Sequence, residues 1–481
     1  MEEYKLFIKR IGLVGLVNIL VSLSGILLIP ILTKNLSILD YGVWVQINTT
    51  LILISSLVNL GLPYAMFRLL AVKKDKKDIS EGFYSIFFLT ILSSAVASLL
   101  FILFSRWISE AIFNGNLTVT LILSFVILII GLNNVLFGFL RALQKIKRFS
   151  LFWLIQTYLN VFLVSYFVLN GQGIVGAVSG ILICQIIIFA IVFSLILAEI
   201  GFKIPKFNNM KEYLSFGIPG MPNNLSYWVV DSSDRYLIGL LLGSAFVAYY
   251  SPGYSIGMLI FVLMVPFDIL LTPLLSRYFE ENRMEEVKKL LQYSMKYFLL
   301  SAIPSVFALG LLSKPILMIL TTTEIALKGY YITPLVALST TIFGLYMILA
   351  QIILLDKKMK IIGTSWIIAG LSNVILNLIL IPYIGILGAG FTTLVSYSIM
   401  FIVALFYTLN NFKFDFEVTP ILKSIMASII IGIFIIIYAP SSIAEIFLAI
   451  LICSGIYIGL MGFLRALTKE ELKFMKSLVI K

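Results

Sequence analysis

The sequence predicts an all-α polytopic membrane protein with fourteen transmembrane helices, arranged as two parallel six-helix repeats followed by a C-terminal helix pair. Three observations predict it. Of 481 residues, 60% are hydrophobic and only 12% charged, about half the charged share of a soluble domain. Apolar stretches of about 20 residues, the length of helix that crosses a bilayer, recur along the whole chain. The order of motifs in the first half also returns in the second.

The first six spans are placed near 11–33, 41–62, 81–105, 117–142, 150–169 and 173–200. The next six fall near 213–242, 245–275, 291–312, 330–355, 361–382 and 385–410, and the last two near 421–439 and 442–464. Lys5, Lys9 and Arg10 precede a long apolar run, which reads as a retained first span rather than a cleaved leader. Alternate loops hold 29 of the 35 Lys and Arg residues and the opposite loops hold 4, so both termini are expected in the cytoplasm. The net charge of +12 then reflects topology and attraction to anionic lipid head groups rather than nucleic acid. Histidine is absent, so a proton-coupled step would need a carboxylate or another group. Cys184 and Cys453 lie far apart in apolar segments and read as packing.

The repeat is read from ordered pairs. RIGLVGLVN (10–18) aligns with SFGIPGMPN (215–223), and QKIK (144–147) with KKMK (357–360). Trp153 and Asn160 match Trp366 and Asn373, each 213 residues on, and GQGIVGA (171–177) matches YIGILGA (383–389). This divides the chain into 1–205, 206–412 and a remainder, 413–481, with the last helix pair and a tail. Each half holds six spans of one orientation. Repeats of this kind are a common build for transporters, with the substrate path where the halves meet.

The lead span of each half is the richest in Gly and Pro: Gly12, Gly15, Gly25 and Pro30 in span one, Gly217, Pro219, Gly220 and Pro222 in span seven. Interruptions at matching places point to a binding site and moving parts. Downstream in span seven, WVVDSSDRYLIG (228–239) places Asp231, Asp234 and Arg235 on one helix face. About ten residues of helix, or roughly 15 Å, separate them from the outer end. An unpaired charge at that depth costs about 2.5 kcal/mol or more. Asp231 and Arg235 are spaced to pair across one turn, which leaves one carboxylate over.

Asp268, in VPFDILLTP, sits near the cytoplasmic end of span eight, where two prolines suggest irregular backbone. Arg68 and Arg141 end spans two and four. Either could guide an anionic head group or snorkel to fix topology; Arg141 is read as snorkelling, as is Lys296. Asn18, Asn59, Asn223 and Asn224 offer neutral hydrogen bonding suited to sugar hydroxyls and equally to neighbouring helices. RYFEENRMEEVKKLLQ (277–292) reads as an amphipathic surface helix. No nucleotide loop or metal-ligand cluster is present in the sequence, and no cofactor is expected.

The chain resembles the polysaccharide transporter, or oligosaccharide flippase, family of the superfamily that also holds multidrug and toxin extruders and the lipid II flippase. The resemblance is carried by LLIPILTKNLSILDYGVWV (27–45), NLGLPYAMFRLLA (59–71), DSSDRYLIG (231–239) and TPLLSRY (272–278). A GxxGA follows spans five and eleven. It implies two six-helix lobes around a central cavity, and a substrate made of an oligosaccharide on a polyprenyl (pyro)phosphate, moved to the outer leaflet by alternating access. On that reading Arg10, Asn18, Arg68, Asn223, Asn224 and Arg235 are candidates for substrate contact. Asp231, Asp234 and Asp268 are candidates for coupling to H⁺ or Na⁺. The rival from the same superfamily is a cation-coupled exporter of drugs or other small molecules. An enzyme, such as a membrane glycosyltransferase, is disfavoured by the short external loops.

Overall fold

The computed structural model describes residues 2–71, 73, 75–412 and 417–466, with residues 2–13, 223, 268 and 269 described by backbone alone. By packing, the chain divides into two units, Met1–Ala248 and Tyr249–Lys481, a boundary that differs from the 205/206 division read from the repeat.

The first unit begins with α1 (Glu2–Asn35), α2 (Ile38–Val58), α3 (Leu62–Leu69), α4 (Lys76–Leu103), α5 (Ser105–Ile112) and α6 (Leu117–Ala142). It continues with α7 (Ile146–Leu169), α8 (Gly173–Ile200), α9 (Met210–Gly217) and, after a 3₁₀ turn at Ile218–Gly220, α10 (Met221–Leu242). The next helix, α11 (Ser244–Gly257), runs across the boundary between the units. Packing joins α4, α6 and α8 around a core that includes Met66, Phe83, Phe139 and Cys184, while α1 lies along α7. Inside this unit Gln185 Oε1 accepts hydrogen bonds from Asn133 (2.7 Å) and Gln156 (2.9 Å). Partners of this kind are required where no water reaches a polar side chain.

The second unit continues with a 3₁₀ segment at Met258–Met264, then α12 (Val265–Glu280), α13 (Met284–Leu320), α14 (Thr323–Gly329) and α15 (Ile332–Leu355). It ends with α16 (Met359–Ile384), α17 (Ile386–Asn411), α18 (Val418–Tyr438) and α19 (Ile443–Phe463). Here α15 and α17 pack closely, and Asn373, Asn377 and Thr392 form a buried polar chain. The two repeats show in their turns. Gln144 (φ 55°) and Lys357 (φ 58°), aligned in sequence, both take the left-handed conformation, as do Gly173 (φ 56°) and Gly385 (φ 64°). A short helix follows the third span of each repeat, α5 in one and α14 in the other.

Thirteen helical segments are long and apolar enough to cross a membrane among the described residues. The remaining expected span is α10, a 22-residue helix that carries Asp231, Asp234 and Arg235.

Four local expectations change. Span one is not interrupted: α1 runs through Gly12, Gly15, Gly25 and Pro30. A helix in lipid tolerates an internal proline when local adjustment satisfies the freed carbonyl. Span two, by contrast, breaks at Asn59–Gly61, where Leu60 (φ 49°) and Gly61 (φ 67°) turn left-handed before α3, which has Pro63 in its first turn. In span eight the irregular backbone is the 3₁₀ segment preceding Pro266, and α12 then continues through Pro273. The 277–292 stretch is no single helix. It turns at Glu281–Arg283, with Asn282 at φ 55°, and Glu281 is held by Arg277 (2.8 Å) and Arg283 (3.2 Å). Those two guanidiniums hold the Glu281 carboxyl below the usual carboxylate range.

The C-terminal pair docks on α13. Lys296, 4% exposed and read as snorkelling, instead pairs with Glu417 at 2.9 Å. Tyr457 donates to the Leu300 carbonyl at 2.6 Å and bonds the Ser424 hydroxyl at 2.7 Å. Leu312 packs with Ile431, Ile435, Ile446 and Cys453.

Two measurements check this packing. Tyr457→Phe should cost about 1 kcal/mol, the net worth of a hydrogen bond, and lower the Tm in detergent, whereas Tyr166→Phe, at an exposed ring, should not. At Gly42 a side chain would run into the Ser244 backbone, while Gly25 faces open space. Gly42→Val should therefore sharply reduce the monodisperse fraction on size exclusion, and Gly25→Ala should leave it intact.

Candidate functional site

The charged stretch of span seven becomes a site through its seam with span two. Gly217 ends α9 against the left-handed turn of span two, so close to Leu60 and Gly61 that neither glycine has room for a side chain. Two broken helices therefore meet backbone to backbone. Beyond the 3₁₀ turn, α10 runs along α2. Trp228 donates its indole N–H to the Thr49 carbonyl at 3.2 Å, and the Tyr236 and Thr50 hydroxyls bond at 2.5 Å. Further along, the Gln46 amide fills the space over Gly239 and accepts from Ser244 at 3.3 Å. Gln46, Thr49 and Thr50 are all buried. The seam is thus a row of buried polar contacts between α2 and α10.

The charges lie on this helix. Arg235 Nη1 donates to Asp234 Oδ1 at 2.9 Å and to the Asp231 backbone carbonyl at 2.6 Å. Asp234 has 0% exposure and the Arg235 side chain 13%. The Asp231 carboxylate accepts from Ser232 Oγ at 2.9 Å and is only partly buried. Across one turn Arg235 reaches the Asp231 backbone carbonyl, and it forms an ion pair with the adjacent Asp234 carboxylate. Bending the guanidinium back along the helix satisfies a deeply buried carboxylate that has no water to solvate it. Asp231 is left as the carboxylate nearer the surface of the unit.

The other expected residues are dispersed. Arg68 is exposed at the end of α3, with its guanidinium 4.6 Å from the Phe216 ring centre. Asn18 is half-buried on α1, and Asn224 is exposed in the first turn of α10. The side chains of Arg10, Asn223 and Asp268 lie outside the described residues. Sequence reasoning missed Gln46, Thr49 and Thr50 as the partners of α10. Their i, i+3, i+4 spacing in an apolar span was the available signal. Among the described residues, no three His, Cys, Asp or Glu side chains gather as a metal cluster.

A second group of charges lies where α3, α6, α7 and α8 end or begin. Glu199 binds Lys145 and, at 3.1 Å, Arg148. Glu81 accepts from the Lys206 and Phe207 amides (2.5 and 3.2 Å) and faces the Lys203 ammonium at 3.5 Å. Together with Tyr84, which donates to the Gly201 carbonyl at 2.7 Å, it fastens the segment joining the repeats along α4. Arg141 lies between two rings, 4.7 Å from the centre of Phe67 and 5.2 Å from that of Phe149.

Known proteins place this arrangement. Among solved structures, the lipid II flippase MurJ in an inward closed conformation matches with a TM-score of 0.72 at 18% identity, over 95% of this chain and 99% of that one. An inward-facing multidrug resistance MATE family transporter of the MOP superfamily matches with a TM-score of 0.68 at 15% identity, over 82% of this chain and 93% of that one. The fold is therefore the one shared by these multi-pass transporters. A curated relative, the probable low-salt glycan biosynthesis flippase Agl15 of Haloferax volcanii, is 20% identical over 264 residues, 54% of either chain. The chain thus spans about half the length of that relative. Residues 31–324 match the family model described as polysaccharide biosynthesis protein. That match runs from the end of α1 through the span two seam and the α10 charges to α14, so the chain belongs to the polysaccharide biosynthesis protein family.

Proposed function

We propose that the protein is a flippase. It carries a polyprenyl-(pyro)phosphate-linked oligosaccharide from the cytoplasmic to the outer leaflet of the plasma membrane by alternating access, for surface polysaccharide or glycan assembly. Both termini are cytoplasmic on this reading, and the chain carries its substrate without catalysing a reaction on it or binding nucleic acid. The observation that carries it is the buried Asp234–Arg235 pair with a second carboxylate beside it, inside a membrane helix of a polysaccharide-family chain. Ionisable groups at such depth are costly, and they mark substrate or ion paths in transporters.

The residues divide by depth. Asp234 and Arg235 satisfy one another within α10; Arg235 is also a substrate contact when the path opens. Asp231, less buried, is the better placed of the two carboxylates to exchange a proton or Na⁺, with Asp268 as a second coupling site. Arg10, Asn18, Arg68, Asn223 and Asn224 serve the head group and sugars. The cation-coupled exporter is favoured by one observation, the likeness of the fold to the MATE structures. The flippase relative and the family model favour the main reading.

Deletion of the gene should remove surface glycans without altering drug sensitivity. The reverse pattern would establish the exporter. Asp234→Asn leaves Arg235 without its buried partner and should destabilise the fold by about 3–5 kcal/mol, read as loss of protein from the membrane. Asp231→Asn should keep normal protein levels while lowering glycan export about tenfold, about 1.4 kcal/mol in a transport barrier. Full export by Asp231→Asn at normal levels would sink its coupling role.

A further inference from the structure

Of the described cations at the Lys- and Arg-rich end of the first unit, three are ion-paired. Lys145 and Arg148 are held by Glu199, and Lys203 by Glu81. Arg68 and Arg141 differ. Both are exposed, and among the described residues neither forms an ion pair or a side-chain hydrogen bond. Both are instead set against aromatic rings. Arg141 has Phe67 and Phe149 at 4.7 and 5.2 Å, and Arg68 has Phe216 at 4.6 Å.

A ring beside a cation suits an ammonium as well, but only a guanidinium is planar and can take a ring on each flat face. Rings attract its flat faces by cation–π interaction. The donors that remain are the N–H groups along its edge, the fork that grips phosphate oxygens two at a time. The rings themselves are braced. Phe149 stacks on Trp153 at 5.5 Å and meets the Phe137 edge at 6.0 Å. The α3 helix that bears both Phe67 and Arg68 is seated on α6, with Pro63 and Met66 against Gly138. Because Phe67 stacks on Arg141 and is the chain neighbour of Arg68, one short helix brings both arginines to the same end of the unit. A simple snorkelling cation would need a charge, but no planar shape and no aromatic bracket.

We infer that Arg68 and Arg141 form a docking station for a diphosphate monoester head group, with Arg141 the specificity-determining residue. The inference rests on the flippase reading, which supplies a substrate with such a head group. It reassigns Arg141 from topology to recognition. An anionic phospholipid offers similar phosphate chemistry, and the test separates the two sources.

The test titrates the purified full chain, in phosphatidylcholine nanodiscs, with farnesyl pyrophosphate. Arg141→Lys keeps the charge but loses the fork, and binding should weaken about tenfold. Arg68→Lys should weaken it in the same direction, and so should Phe149→Leu through loss of the bracket. Arg148→Lys, at a cation already held by Glu199, should not. Discs containing phosphatidylglycerol should bind the probe as well as those without it. Unchanged binding in both Arg141→Lys and Arg68→Lys overturns the station and leaves the flippase reading standing. Competition by phosphatidylglycerol also overturns it, in favour of a lipid contact. Binding that follows the expected pattern, in a strain whose surface glycans survive deletion of the gene, upholds the station and refutes the flippase reading.

Discussion

A carboxylate with no exposure to solvent, Asp234, is held within α10 by the guanidinium next to it in sequence. A buried charge that loses its partner is strongly destabilising, so the pair constrains its surroundings. Arg235 must fold back along α10 to reach both Asp234 and the Asp231 carbonyl. The helix must in turn be covered by something that can hydrogen-bond, because its neighbouring Trp228 and Tyr236 carry polar atoms. Span two answers with Gln46, Thr49 and Thr50. The close approach needs glycine at 42 and 239, where a side chain would collide with Ser244 or Gln46.

The backbone breaks serve the same seam. Span two turns at Asn59–Gly61 where Gly217 arrives, and span seven changes to a 3₁₀ turn at Ile218–Gly220. In lipid, irregular backbone survives only where protein or a water-filled cavity covers it. Here each break lies against the other. The polar row, the charge pair and the paired breaks therefore form one continuous feature of the first unit. The second unit has its own polar chain, Asn373–Asn377–Thr392, and anchors the C-terminal pair through Lys296 and Tyr457.

Much of this was legible in the chain. Hydrophobic length located the spans, and α10 is less apolar than the other long helices because of the very charges that marked it as unusual. The repeat was legible at its turns, since Gln144 and Lys357 share both an aligned position and a left-handed backbone. The charged site was legible as residues, while the Asp234–Arg235 pair was not read from helix spacing, because burial is a property of what packs outside the helix. Glycine and proline counts were a poorer guide. Span one holds four and stays helical, whereas span two breaks at a turn whose cue, Asn-Leu-Gly-Leu-Pro, is local and short.

The sequence by itself determined the class of the protein. A bilayer imposes a length and an apolarity on every span, and those constraints are one-dimensional. It also determined where charge is concentrated, because a few ionic groups stand out against so apolar a background. The tertiary structure decided which charge meets which partner, that Lys296 is an anchor, and that Arg68 and Arg141 are bracketed by rings. Those outcomes depend on residues far apart in sequence, such as Phe216 with Arg68 and Glu417 with Lys296, which only packing brings within range of one another.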